Sequence, residues 1–177
     1  MEILALSADG SVLGRRSMEK IAPAAPAVHM DLLRYWESLP RGASAARKAD
    51  FDPGELVRHL PSVFMCERPV PVSERSLVFR VHGSMIADIL RCDLTGKNVA
   101  DALPPQRRSA VMRAIDLSMD EECPVRQRFY SAFPGREHVL VDRLIVPLAD
   151  GQGVLRFALG CLSRCALGDP EELFLID

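Results

Sequence analysis

Two short glycine-bearing connections constrain this chain more than anything else in it. Phe133-Pro134-Gly135-Arg136 and Asp150-Gly151-Gln152-Gly153 separate three apolar runs, at 125–132, 138–148 and 154–163. Strands joined by so few residues must lie side by side and antiparallel, because a parallel crossover needs a dozen residues or more. The C-terminal half therefore reads as a three-strand meander.

The upstream half alternates short strands with helices. Val63 to Arg68 is β-rich and stops at Pro69-Val70-Pro71. Leu77, Phe79 and Val81 alternate with Val78, Arg80 and His82, which predicts a half-buried strand paired with the first. Gly83-Ser84 opens a short helix with Met85, Ile86, Ile89 and Leu90 on one side, and Asp93-Leu94-Thr95-Gly96 is a turn. After Pro104-Pro105 comes the clearest helix, with Val111, Ile115 and Met119 on its apolar face. Arg107, Arg108 and Arg113 are left for solvent.

Nearer the N-terminus, Val28, Leu32, Trp36 and Leu39 recur at three- and four-residue steps, predicting a helix over 28–39 that Pro40 and Gly42 end. Asp52-Pro53-Gly54-Glu55 carries a cap, a first-turn proline and a third-position Glu. It predicts a short helix with Leu56, Val57 and Leu60 on its apolar side and Pro61 at its end. Residues 1–27 show no sustained period and contain the proline-broken run from Ala22 to Ala27. They read as a mobile or loosely docked arm, with Ile3 to Leu6 available as an edge strand. Residues 166–177 form a tail whose Leu173-Phe174-Leu175-Ile176 patch docks on the domain or meets a partner. The sum is an α+β domain over 28–165, with an antiparallel sheet and helices gathered on one face.

Composition narrows the class. Apolar residues are 48% and charged residues 26%, with a formal net charge of −2 and no block of like charges. That is globular and lacks the basic footprint of a nucleic-acid binder. No apolar run reaches bilayer length, Met1-Glu2 opens without a basic n-region, and five cysteines form no repeated CxxC. A reduced, cytoplasmic protein away from membranes is the expectation.

The order of elements resembles that of a PAS domain, and the residues sharpen the likeness. Leu33-Arg34-Tyr35-Trp36-Glu37-Ser38-Leu39 followed by Ala49-Asp50-Phe51-Asp52-Pro53 is similar to the opening of a bacterial stand-alone, single-domain PAS subfamily. Leu60-Pro61-Ser62-Val63-Phe64, Phe79-Arg80-Val81-His82-Gly83-Ser84, Asp93-Leu94-Thr95-Gly96-Lys97 and Arg143-Leu144-Ile145-Val146-Pro147-Leu148 resemble its later motifs in order, covering residues 30–164. Ala46 stands where a proline is usual, and Arg91-Cys92 replaces a Gly-Arg pair. The resemblance implies a five-stranded antiparallel sheet with short helices, one longer helix and an N-terminal flanking helix. It also implies a sensory or regulatory role exercised through protein partners, with or without a small ligand in the cavity.

No enzyme constellation stands out: G-x-S-x-G, G-x-x-x-x-G-K and H-E-x-x-H are all missing. Asp142-Arg143 reads as an in-sheet ion pair. Histidines 29, 59, 82 and 138 are scattered. His82 at a strand end is either an ordinary bonded histidine or an axial haem ligand. Cys161 and Cys165 supply only half a zinc site, and Leu90-Arg91-Cys92-Asp93 is not the Asn-Cys-Arg-Phe type of flavin-linking motif. No metal or cofactor is expected, with a haem or flavin sensor as the alternative.

Candidate cavity walls are Phe79, Met85, Ile86, Leu90, Val111, Ile115, Phe129 and Leu144, with polar contacts from Arg80 and His82; the same residues also read as plain core. Leu32, Tyr35, Trp36 and Leu39 are either a surface for a homodimer or signalling partner, or the cover of their own sheet.

Overall fold

The structure, a computed structural model, describes residues 1–17, 25–41, 45–69 and 77–165. The expected 166–177 tail lies outside them. One sheet organises the molecule, built from β1 (Glu2–Leu6), β2 (Val12–Ser17), β3 (Val63–Glu67), β4 (Val78–His82), β5 (Val125–Tyr130), β6 (Leu140–Ala149) and β7 (Leu155–Arg164). The helices are α1 (Ala27–Ser38), α2 (Ser84–Leu90), α3 (Val99–Ala102) and α4 (Pro105–Asp120), with 3₁₀ turns at Lys48–Asp50 and Pro53–Ser62.

The strand order is β2-β1-β5-β6-β7-β3-β4. The meander β5-β6-β7 and the pair β3-β4 are antiparallel, and β3 pairs β7 antiparallel to join them. These are the five strands expected. The sheet has seven because residues 2–17, expected within an arm, form a hairpin that extends it. β1 lies antiparallel to β2 and parallel to β5, so it is interior, the edge passes to β2, and the sheet is mixed. Burial explains why the hairpin docks: Ile3, Leu4, Ala5 and Leu6 are all buried, split between the two sheet faces.

Helices cover both faces, rather than one. On the front face α2, α3 and α4 pack over Leu4, Phe64, Phe79, Phe129, Ile145 and Leu162. On the back face α1 buries Val28, Leu32, Leu33 and Trp36 against Ile3, Val63, Leu144, Val146 and Leu159. A sheet sandwiched in this way shows near-continuous burial along its central strands, and all ten residues of β6 are buried.

Two local details position the front face. The β3–β4 register shifts between Met65 and Cys66, so that Met65 pairs Val81 while Cys66 pairs Phe79. The extra residue, Arg80, interrupts the alternation. Val81 turns out to solvent and His82 turns in, reversing the expected pattern for the last two residues of the strand. Phe64 pairs Gly160 across β3 and β7, and a Cβ on Gly160 would come within 2.3 Å of the Phe64 ring. Glycine there lets the Phe64 ring lie over β7.

The 53–62 segment also differs from the helix expected. It is 3₁₀ with a break at Leu56, Asp52 caps it through Gly54 N–H, Leu56 is buried and Val57 is exposed. No described helix is long and apolar enough to cross a membrane.

Candidate ligand cavity

The front face holds a cavity of about 50 Å3 between α2, α4 and the sheet. Phe79, His82, Ile86, Leu90, Val111, Ile115 and Phe129 line it, as expected from the sequence. Three candidates do not. Arg80, on the outward side of the bulge, bonds Glu67 at 2.7 Å in an exposed pair. Met85 faces outward at the start of α2, 38% exposed. Leu144 lies on the back face, because β6 residues alternate and its neighbour Arg143 takes the front.

The polar lining consists of His82, Arg107, Ser131 and Arg143. Arg143 is buried, and one guanidinium NH2 donates to the Gln127 side-chain carbonyl. Gln127 in turn donates to the Ser7 carbonyl at 2.7 Å. Arg107, expected in solvent, instead reaches back from α4 to the turn of the N-terminal hairpin, donating to the Ala8 carbonyl at 2.8 Å. Both guanidinium carbons sit near the Phe129 ring, 5.2 Å from its centroid for Arg107 and 5.1 Å for Arg143. Among the described residues neither arginine has a carboxylate partner, and the Nε of each has no hydrogen-bond acceptor. Burial draws Arg143 down to about 10, which still leaves it charged at neutral pH. His82, its Nδ1 also without a bond, is lowered by burial as well and stands edge-on to Phe79.

A second polar group occupies the back face. Asp142 accepts from Arg126 Nη2 at 2.6 Å and Nε at 3.0 Å, and from Arg128 Nε at 2.7 Å, all buried. The Asp142–Arg143 neighbours are therefore no ion pair, because they point to opposite faces. His29, fully buried on α1, brings Nδ1 to 3.5 Å from Asp142. Burial takes His29 from 6.5 down to about 4 despite the carboxylate, so the imidazole is neutral. Burial works to raise Asp142, but His29, once protonated at low pH, and the two arginines outweigh it and hold the carboxyl below its usual range.

The depressed His29 value has a consequence for stability. The unfolded chain takes up a proton near pH 6.5 that the folded chain refuses until about pH 4. The His29 contribution is thus complete above pH 6.5 and lost as pH falls towards 4, by roughly 3 kcal/mol in all. Urea unfolding at pH 7 and pH 5 is expected to show about half of that loss, and His29→Phe is expected to flatten it. An unchanged pH slope in the variant would contradict this account.

Of the two readings of the 28–39 stripe, the packing within this chain matches the cover of its own sheet. Leu32, Trp36 and Leu39 are 0%, 2% and 6% exposed, buried under α1, and Trp36 Nε1 donates to the Pro147 carbonyl at 2.8 Å. In this chain they cover their own sheet. Tyr35 stays half-buried, its hydroxyl accepting from the Asp52 N–H at 2.6 Å and its ring against Phe51.

The cavity in this form is smaller than a haem or flavin requires. A macrocycle or isoalloxazine needs about 300 Å3 or more, several times this volume. No cysteine lines it: Cys92 faces the outer groove beside Asp88 and Arg136, and Cys66 is packed in the core. Cys161 is buried on the back face and Cys165 follows β7 as a free thiol. Among the described residues no cluster of His, Cys, Asp or Glu is arranged to hold a metal.

A five-strand antiparallel core extended by a hairpin, with short helices closing a small cavity over one face, defines the class of α+β domain. A family model described as PAS domain matches residues 25–163, and the chain belongs to that family, whose members are sensory domains. A sensory box sensor histidine kinase from Vibrio cholerae is 17% identical, with 64% of this chain and 86% of that chain covered and a TM-score of 0.44. A fungal LOV domain photoreceptor is 16% identical, with 77% and 90% covered and a TM-score of 0.46. The Vibrio cholerae VqmA dimer, a LuxR-type receptor, is 13% identical, with 63% and 49% covered and a TM-score of 0.46. No curated protein sequence matches the chain.

Proposed function

We propose that this chain is a non-catalytic regulatory module of the bacterial cytoplasm that senses a small molecule in its front-face cavity. Its output is contact with a signalling protein or with a second copy of itself. The observation that carries this reading is a pair of buried guanidinium nitrogens, Nε of Arg107 and of Arg143, with no hydrogen-bond acceptor, around an otherwise apolar cavity where His82 Nδ1 also makes no hydrogen bond and has only the Asp93 carboxylate at 3.8 Å. Buried polar groups cost free energy unless bonded, so a site of this kind is built for an occupant that bonds them.

The cavity also lies where occupancy can be felt. Arg107 and Gln127 hold the carbonyls of Ala8 and Ser7, so the cavity lining is bonded directly to the N-terminal hairpin.

Absorbance from 250 to 700 nm and native mass spectrometry on freshly purified protein test the reading, with a thermal-shift screen of small metabolites. The expected result is no Soret or flavin band, and a saturable rise in Tm with at least one compound. A stoichiometric visible cofactor would overturn it in favour of a haem or flavin sensor.

A further inference from the structure

We propose that the cavity binds a short-chain monocarboxylate of two to four carbons, its carboxylate held by Arg143 and Arg107 and its tail by Phe79, Ile86 and Val111. This rests on the reading of the cavity as a ligand site and names the chemical class.

Charge sets the head group. Arg143 is buried with a guanidinium whose one side-chain bond runs to the neutral amide of Gln127, and its Nε–H has no acceptor. Arg107 adds a second guanidinium at the same Phe129 ring, bonded to a neutral backbone carbonyl, with its Nε–H also open. Elsewhere in this protein a buried guanidinium is matched by a carboxylate, as Asp142 matches Arg126 and Arg128 on the other face. Two cations at one cavity lack a negative group that the described residues do not supply. A planar carboxylate fits the guanidinium fork.

Size and lining set the tail. About 50 Å3 of cavity has room for about four water-sized groups, which matches acetate or propionate and excludes a dicarboxylate sugar acid or a nucleotide. The remaining wall is aromatic and aliphatic, with Ser131 and His82 the only other polar side chains. A bare inorganic anion would leave that wall without contacts.

The test is isothermal titration and thermal shift of the full chain with sodium propionate, propionamide and sodium nitrate at matched ionic strength. Propionate is expected to bind saturably with a Kd below about 10 mM, within reach of so few atoms. Propionamide and nitrate are expected to bind at least tenfold more weakly. Arg107→Gln, on a half-exposed helix position, is expected to keep the fold and weaken propionate at least tenfold. Arg143→Lys, which keeps a buried charge but loses the fork, is expected to do the same.

Equal binding of propionamide would overturn the anion assignment while leaving the cavity a ligand site. Equal binding of nitrate would overturn the carboxylate. Propionate binding unchanged in both arginine variants would place it elsewhere and overturn the site. If propionate fails while larger neutral compounds raise Tm, this inference falls and the broader reading stands; if nothing binds, both fall.

Discussion

Replacing Asp142 by Ala is expected to cost about 4 kcal/mol, a large share of the roughly 5–15 kcal/mol that holds a domain folded. Asp142 is fully buried and accepts three hydrogen bonds from two arginines that are themselves buried. Removing the carboxylate takes away the central negative charge while the desolvation of both guanidinium groups remains, the costliest way to break a buried ion group. Asp142→Asn keeps an acceptor and the shape and is expected to lose about half as much. The check is urea unfolding at pH 7, followed by far-UV circular dichroism. A loss below about 1 kcal/mol for Asp142→Ala would mean that the cluster is solvated and the back face is not sealed as described.

The second large effect is expected at Trp36. Trp36→Ala empties the largest space under α1 and also removes the bond from Nε1 to the Pro147 carbonyl. Together these are expected to cost about 4 kcal/mol. Trp36→Phe, which keeps most of the ring but not the donor, is expected to cost about 1–2 kcal/mol. This decides between the two uses of the 28–39 stripe seen in the sequence. If Trp36 covers its own sheet, the variant loses stability at any protein concentration. If it anchored a partner copy, the monomer would keep its stability and only assembly would suffer. Because Trp36 is the only tryptophan, circular dichroism must replace fluorescence as the probe, with sedimentation velocity reporting assembly.

Much of the fold was legible in local pattern, and the misses have identifiable physical causes. The meander followed from the lengths of two connections, and α4 from one clean helical stripe. Of the N-terminal hairpin only Ile3 to Leu6 reads as a strand in the sequence, because β2 is largely polar. Its signal was nevertheless present, since Asp9-Gly10 sits at the turn and Gly10 takes a φ of 92°. The direction of β4 failed at Arg80, because a bulge cannot be seen in a period-2 pattern and everything after it changes face.

The site was half legible for the same reason. Helical stripes bring Ile86, Leu90, Val111 and Ile115 to the cavity, whereas Met85 at the first turn of α2 faces outward. On β6 the apolar pattern points Leu144 to the front, whereas the structure puts Arg143 there and Leu144 on the back face. The neighbouring charges Asp142-Arg143 invited pairing with each other, though in a strand consecutive side chains face opposite ways. The better signal was cost: two charges inside a run as apolar as Leu140–Ala149 must each find a partner on its own face. Asp142 finds two arginines. Arg143 finds an amide and an aromatic ring, and this difference is what points to a missing anion.

The most direct test of the cavity as a sensory site is a 1H–15N NMR titration of the arginine side chains with sodium propionate. The account expects the Nε–H signals of Arg143 and Arg107 to shift together and saturate, while those of Arg126 and Arg128 on the back face stay still. Movement confined to exposed arginines such as Arg34, with Arg143 and Arg107 unmoved, would contradict it.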